Sequence, residues 1–352
     1  MSPAVIALVR PGQVECLDEP ARPLGADEVR IRTLLSGVSA GTEMAFYRGT
    51  NPYLDKRWDP ATRLFLPGSA HSLEYPITSW GYEEVGEVVE VGSDVADVHI
   101  GSRVFGTWGH RAEHIATADF ARQRMLPATV DPLVGIFSHI GPIALNGVLD
   151  TQVRVGETVA VFGLGVVGQL VCQILARAGA RVIGIDLLEA RRQTAARLGT
   201  AVVLDAGALD AAAEIKRLTD GRGADVCVEA SGSTRALQSA IRACAYASRV
   251  VVLGFYQGDA SGLYLGEEFH HNRITLVCSQ IGGVSPDLQH RWDRARLVRT
   301  FMQMAFDGSV RCSDLVTHRV PVSEAASLFA LIDTQPATVL QAVIDFQTAD
   351  AI

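Results

Sequence analysis

Gly163-Leu164-Gly165-Val166-Val167-Gly168 lies between an apolar run, Thr158 to Phe162, and a helical pattern, Gln169 to Ala178. The next apolar run, Val182 to Ile185, closes on an acidic residue, Asp186. A GxGxxG triplet in the order strand, turn, helix, strand, acid reads as a dinucleotide-binding turn. The first glycine permits the tight turn, the second lets pyrophosphate approach the backbone, and the third lets helix and strand pack closely. The pyrophosphate then rests on a helix N-terminus, where free N–H groups and the dipole favour an anion. Asp186, after the second strand, suits the ribose hydroxyls and repels a 2′-phosphate, which favours NAD over NADP. The same carboxylate also suits a helix N-cap. Arg191 and Arg192 either soften the preference by pairing with phosphate or remain solvated helix charges. Gly163, Leu164, Gly165, Val166, Val167, Gly168, Asp186, Arg191, Ser231 and Gly254 form the candidate cofactor set.

Outward from this turn, apolar strands alternate with helical stretches. Strands are expected at Thr158 to Phe162, Arg181 to Asp186, Ala201 to Leu204, Val226 to Glu229, Val250 to Gly254 and Ile274 to Ser279. Helical patterns at Ala190 to Leu198, Ala211 to Leu218 and Arg235 to Ala243 separate them. Such alternation implies a parallel, doubly wound α/β sheet. Residues 1 to about 120 have another texture, with β-like runs at Val5 to Val9, Val29 to Leu34, Val85 to Gly92 and Arg103 to Gly106, punctuated by glycine. Arg291 to Phe306 is helical, and a last strand is expected at Val339 to Phe346.

With 352 residues, two domains are expected. A net charge of -8 argues against nucleic acid or an anionic membrane surface as partner. No apolar run approaches bilayer length, and no basic start precedes an apolar N-terminal core, so neither membrane span nor secretory leader is expected. Cys16, Cys172, Cys227, Cys244, Cys278 and Cys312 are scattered without a CxxC, as suits a reduced, cytoplasmic protein.

Three further stretches carry a resemblance: Ser36-Gly37-Val38-Ser39-Ala40-Gly41-Thr42-Glu43, Gly81-Tyr82-Glu83-Glu84-Val85-Gly86-Glu87-Val88 and Val153 to Val159. With the glycine turn and Gly223 to Gly232, the order of parts resembles the medium-chain dehydrogenase/reductase superfamily, zinc-type alcohol dehydrogenase-like. That implies a GroES-like β-rich catalytic domain over 1–150, a Rossmann domain over 151–285, and a C-terminal part, 286–352, returning to the first. Zinc-dependent members use a Cys in a GxCGTD-like motif, a His in GHE, and a Cys or Glu before Pro. Here the matching positions hold Ser39 or Ala40, Tyr82 and Gly141. Catalytic zinc needs three protein ligands, so none is expected; the four-cysteine structural lobe is missing too. The chain is thus similar to a zinc-free branch, like bacteriochlorophyllide-type dehydrogenases, although no pigment substrate follows.

The resemblance implies hydride transfer between NAD(H) and an alcohol/ketone or aldehyde pair. Without zinc, hydrogen-bond donors must polarise the oxygen. Tyr82, Thr42, Ser39, Glu43 and His139 are the catalytic candidates. Tyr82 is either a proton donor or an aromatic plug, and Glu43 either joins the catalytic set or only holds its loop. Reduction of an activated C=C bond, and a silent NAD(H)-binding regulator, remain open alternatives. The segment Gly49 to Ser79, with Tyr53, Trp58, Phe65 and Tyr75, is either a wall for a bulky or aromatic small-molecule substrate or a loop fastened by its own side chains. His71, His99, His110 and His114 are further first-half histidines, and His270-His271 precedes the last parallel strand. A homodimer built on the edge strand Ile274 to Ser279 is also implied.

Overall fold

The structure, a computed structural model, describes residues 4–67 and 72–347. His71 and part of the Gly49 to Ser79 segment lie outside the described residues. The chain divides into two compact units, 1–139 with 316–352 and 140–315.

The first unit begins with the hairpin β1 (Ala4–Arg10) and β2 (Gln13–Asp18). Then come β3 (Glu28–Val38), α1 (Thr42–Tyr47), a small hairpin of β4 (Lys56–Asp59) and β5 (Leu64–Pro67), β6 (Glu84–Val91), β7 (Arg103–Gly106), β8 (Glu113–Thr117), α2 (Ala118–Arg122) and β9 (Met125–Leu126). β3 is the axis of the unit. It pairs antiparallel with β6 along most of its length and with β8 near its start. Ser36 faces Glu84 in the β3–β6 register, and the Gly37 N–H donates to the Glu83 carbonyl at 2.7 Å. An antiparallel pair continued one step further brings the residues after β3 against those before β6. That places Ser39 and Tyr82 side by side.

The second unit opens with α3 (Ile140–Thr151). It continues through β10 (Thr158–Phe162), α4 (Val166–Arg177), β11 (Arg181–Asp186), α5 (Glu189–Arg197), β12 (Val202–Asp205), α6 (Ala211–Leu218), β13 (Ala224–Glu229), α7 (Thr234–Ala243), β14 (Cys244–Val252), β15 (Thr275–Cys278) and α8 (Arg294–Phe306). Its six strands are parallel and ordered β12-β11-β10-β13-β14-β15. This is the doubly wound order with a switch point between β10 and β13, where crevices form beyond the strands' carboxyl ends. β10 is wholly buried because helices cover both faces of the sheet. Among the described residues no single helix is long and apolar enough to cross a membrane.

The chain then returns to the first unit through β16 (Val316–Pro321), α9 (Ala325–Thr334) and β17 (Gln341–Asp345), and β17 pairs antiparallel with the end of β3. The divisions fall at 139/140 and 315/316 rather than 150/151 and 285/286. The reason is helical packing. α3 lies against α4, α8 and β14, and the Phe301 ring of α8 covers Gly141 of α3. Residues 140–150 and 286–315 therefore close one face of the parallel sheet.

Candidate active site

In the second unit the glycine turn is built as its spacing requires. Gly163 has φ +92°, a conformation that L side chains rarely adopt. A Cβ on Gly168 would stand 1.9 Å from the Gly163 carbonyl oxygen, so helix and turn touch through bare backbone. A Cβ on Gly165 would meet nothing closer than the Arg191 guanidinium at 3.9 Å, so the space beside this glycine is open. Gly165 is also the N-cap of α4 and offers no side-chain cap. The first-turn N–H groups of Val166, Val167 and Gly168 have no intrahelical carbonyl to bond, and they border that open space. The cradle fits a dinucleotide pyrophosphate.

Asp186 is buried and works on the turn itself. Its two carboxylate oxygens accept the N–H groups of Leu164 at 2.7 Å and Leu188 at 2.8 Å. The N-cap of α5 is Leu188, not Asp186. Each oxygen keeps a further lone pair for a ribose hydroxyl, and Arg191 stands 3.9 Å away. Arg192 is held by the Asp186 and Leu187 carbonyls and by Asp205 at 2.7 Å.

Ser231 and Gly254 border the turn through a residue absent from the sequence-based set. Glu229, fully buried at the end of β13, accepts the N–H groups of Ser231 and Gly232 and the hydroxyls of Ser231 and Tyr256. A Cβ on Gly163 would meet the Ser231 backbone nitrogen at 2.8 Å, and one on Gly254 would meet the Gly232 nitrogen at 2.2 Å. Ser231 and Gly254 thus shape the crevice floor through backbone, with the Ser231 hydroxyl committed to Glu229. The signal for Glu229 lay in the sequence: a carboxylate ending an otherwise apolar parallel strand must find several donors.

In the first unit, Ser39, Thr42, Glu43, Tyr82 and His139 gather in one place. The Tyr82 phenol donates to Ser39 Oγ at 2.5 Å and is hydrogen-bonded with Thr42. The His139 ring lies 4.6 Å from the Tyr82 ring, centre to centre. Tyr82 and His139 line a cleft of ≈ 390 Å³ with Ser79, Gly81, Thr107 and Trp108. Burial, aided by Glu83 and Glu43, raises the Tyr82 phenol above its usual range, so it stays protonated.

Beneath this pair runs a buried chain that motif reading reached only in part. Glu43 accepts the Ser39 N–H at 3.0 Å with one oxygen and faces His110 Nε2 at 2.8 Å with the other. His110 Nδ1 lies 2.7 Å from Ser36 Oγ, which donates to Glu84 at 3.1 Å. Glu84 also accepts the N–H groups of Glu83 at 3.1 Å and Trp108 at 2.7 Å. Glu83 takes the Gln341 amide at 2.8 Å with one oxygen; its other oxygen has no partner. Burial, with Glu43 and Glu84 nearby, pushes the Glu83 carboxyl well above the usual range, and burial pushes Glu84 up to about 6. Burial opposes charge on His110, but the Glu43 and Glu84 carboxylates outweigh it and raise the imidazole. His114, by contrast, is lowered to about 4 by burial beside Arg111 and Arg22. A run of acids opening a strand as apolar as Glu84 to Val91 was the available signal for this chain.

The donor set does not fit catalytic zinc. The residues that the motifs set in the place of zinc ligands, Ser39 or Ala40, Tyr82 and Gly141, offer hydroxyls or carbon, and among the described residues no group of three His, Cys, Asp or Glu is placed to hold a metal. At Gly141 a Cβ would stand 2.0 Å from the Phe301 ring, so no ligating side chain fits there without repacking. In the Gly49 to Ser79 segment, Phe65 packs 5.3 Å from Tyr53 and 5.0 Å from Trp58, and the Tyr75 hydroxyl donates to the Phe46 carbonyl at 2.6 Å. These rings bind to each other or to the unit's own backbone.

The family described as zinc-binding dehydrogenase matches residues 166–296. D-guloside 3-dehydrogenase of Escherichia coli (strain K12) is 33% identical over 323 residues, 90% of this chain and 92% of that one. The (R,R)-butanediol dehydrogenase of Bacillus subtilis (strain 168) is 27% identical over 77% of this chain and 80% of that one. The crystal structure of 2R,3R-butanediol dehydrogenase from Bacillus subtilis superposes with a TM-score of 0.78 at 22% identity, covering 98% of this chain and 99% of that one. The chain belongs to the zinc-type alcohol dehydrogenase-like medium-chain dehydrogenase/reductase superfamily. It is an oxidoreductase of the alcohol dehydrogenase type, with a GroES-like first unit and a Rossmann second unit.

Proposed function

We propose that this chain is an NAD(H)-dependent, metal-independent dehydrogenase that interconverts a secondary alcohol and its ketone on a polyol or sugar-like substrate. The observation that carries the reading is the Tyr82–Ser39 hydroxyl pair, whose Tyr82 lines the cleft beside His139. The substrate class follows the 33% identical relative, whose name specifies a guloside.

The nicotinamide supplies the hydride acceptor or donor when the dinucleotide is bound. Gly165 and the first turn of α4 hold the pyrophosphate, and Asp186 takes the ribose hydroxyls. Tyr82, which lines the cleft, turns its O–H from Ser39 to the oxygen that gains charge as a ketone is reduced, and Ser39 then donates to the phenol oxygen. Such donors are worth most in a site shielded from water. The raised phenol does not prevent proton transfer, because an alkoxide is more basic than a phenolate. His139, half-buried with its ring against that of Tyr82, is the group we assign to returning the proton.

A panel of alcohols with NAD⁺, and of ketones and enones with NADH, tests the reading. Oxidation of a vicinal diol or sugar alcohol, with no enone reduction, is expected. Turnover of enones alone would replace the reading with C=C reduction. NADH binding with no turnover across the panel would make the chain a regulator.

A further inference from the structure

Ser39 follows β3 and Tyr82 precedes β6, and neither arm has regular structure at the hydroxyl itself. Something must fix two loop side chains to within the tolerance that proton transfer demands. His110, from the loop between β7 and β8, meets both arms. Towards the Ser39 arm it faces Glu43 Oε2 at 2.8 Å, while Glu43 Oε1 accepts the Ser39 N–H and the Glu43 N–H donates to the Ser39 carbonyl at 3.1 Å. Towards the Tyr82 arm its ring lies flush under Gly81: a Cβ there would stand 2.8 Å from the His110 ring. Gly81 has φ +89°, so both conformation and space exclude a side chain.

The ring itself is fastened on its remaining sides. The His110 backbone N–H donates to the Trp80 carbonyl at 3.1 Å and its backbone carbonyl accepts the Ile6 N–H at 2.8 Å, while the Trp80 and Phe329 rings meet the imidazole edge-on at 5.2 and 5.9 Å. Glu43 takes the Nε2 proton as acceptor. With the Ser36 hydroxyl proton directed to Glu84, its oxygen accepts from Nδ1, an arrangement in which both ring nitrogens carry protons. The titratable groups facing the ring are Glu43 of α1 and Glu84 of β6, and its remaining faces are Gly81 and the two aromatic rings.

We propose that His110 is the positioning residue of the Ser39–Tyr82 hydroxyl pair, gripping one arm through Glu43 and the other through Gly81. This rests on the reading of that pair as the oxygen-binding donors. His110 touches neither substrate nor cofactor; it sets where the two hydroxyls stand. An imidazolium there also balances the Glu43 carboxylate, so the alkoxide forms without an uncompensated negative charge beneath it.

The test is a double-mutant cycle of His110→Leu with Tyr82→Phe, read as kcat, substrate KM and NADH affinity. His110→Leu should lower kcat about 10²-fold with NADH affinity within about twofold, and His110→Gln, which keeps a donor for Glu43, should recover about tenfold of that loss. Added to Tyr82→Phe, His110→Leu should cost less than about threefold more, because residues acting as one unit are not additive. Losses that multiply, or an unchanged kcat in His110→Leu, would overturn the inference. Gly81→Ala presses on the ring from the opposite side and carries the same cycle should His110→Leu not fold. Full turnover in Tyr82→Phe would instead remove the donor reading on which the inference stands. The grip is also read without turnover. Ring-nitrogen NMR at neutral pH should show two protonated nitrogens on His110, both moved by Gly81→Ala. A singly protonated ring, or resonances that Gly81→Ala leaves in place, contradicts it.

Discussion

At the scale of single residues, the first unit concentrates more buried charge than its chemistry can leave ionised. Glu43, Glu83 and Glu84 are all buried near one imidazole. Burial, with Glu43 and Glu84 nearby, raises the Glu83 carboxyl well above the usual range, which favours the neutral form over a buried charge beside an oxygen without a partner. Glu83→Gln keeps the shape and the neutral state, so it should change stability by no more than about 1 kcal/mol at neutral pH, by urea unfolding. A loss of about 3–5 kcal/mol, the cost of breaking a buried ion pair, would show that Glu83 is ionised. Glu84 gives a pH signature. Its carboxyl rises from 4.5 unfolded to about 6 folded, so the folded chain holds that proton more tightly. The stability attached to it is whole below pH 4.5 and is lost as pH climbs through about 6. Relative to Glu84→Gln, the wild type should therefore lose about 2 kcal/mol between acid and neutral pH. No difference in slope between the two would contradict the placement of Glu84. Tyr82→Phe removes one hydroxyl and should lower turnover about 10²–10⁴-fold with NADH affinity intact. Full turnover would make Tyr82 a space-filling plug. Tyr82, Ser39, Thr42 and Glu43 were legible because they occupy motif positions. His110 was one histidine among several, since nothing in a linear sequence shows that its ring lies under Gly81.

At the scale of elements, the glycine turn is the part that the sequence discloses best. Strand, turn and helix all follow local rules, and β10, β11 and α6 have the residue limits their periodicity indicates. β14 is longer than its apolar core suggests, because its start runs on through Cys244 to Arg249 beside β13. α3 was missed as a sheet-covering helix because it carries apolar residues nearly all round and gives no periodic signal. Two of its three glycines should answer differently to substitution. Gly168→Ala drives a methyl into the Gly163 carbonyl and should destabilise the second unit by roughly 1–3 kcal/mol. Gly165→Ala enters open space and should leave stability near wild type while weakening NADH binding. A Gly165→Ala protein that binds NADH normally, by fluorescence titration, would place the pyrophosphate elsewhere. Asp186→Ser removes both the ribose acceptor and the repulsion of a 2′-phosphate, and should narrow an NADH over NADPH preference by about 1–3 kcal/mol. Equal wild-type affinity for the two would refute the role given to Asp186.

At the scale of the whole molecule, β15 is the outer strand of the parallel sheet, and its residues are largely exposed. An open edge of this kind invites pairing, and a second copy of the chain is the partner we propose. Light scattering at micromolar concentration should give a dimer, and a monomer would leave the edge unexplained. The relation between family and site is the larger point. The chain belongs to a superfamily whose matching profile is described as zinc-binding, yet the motif reading sets Ser39 or Ala40, Tyr82 and Gly141 in the place of the three zinc ligands. The account rests on hydroxyls, fixed by buried acids and an imidazole, stabilising the substrate oxygen without a metal. Its most direct test is turnover of one alcohol substrate with NAD⁺, measured on protein stripped with chelator and assayed for zinc in the same sample. Full turnover at a small fraction of a zinc per chain is the predicted result. Stoichiometric zinc, with activity lost on chelation and restored by zinc, would contradict it.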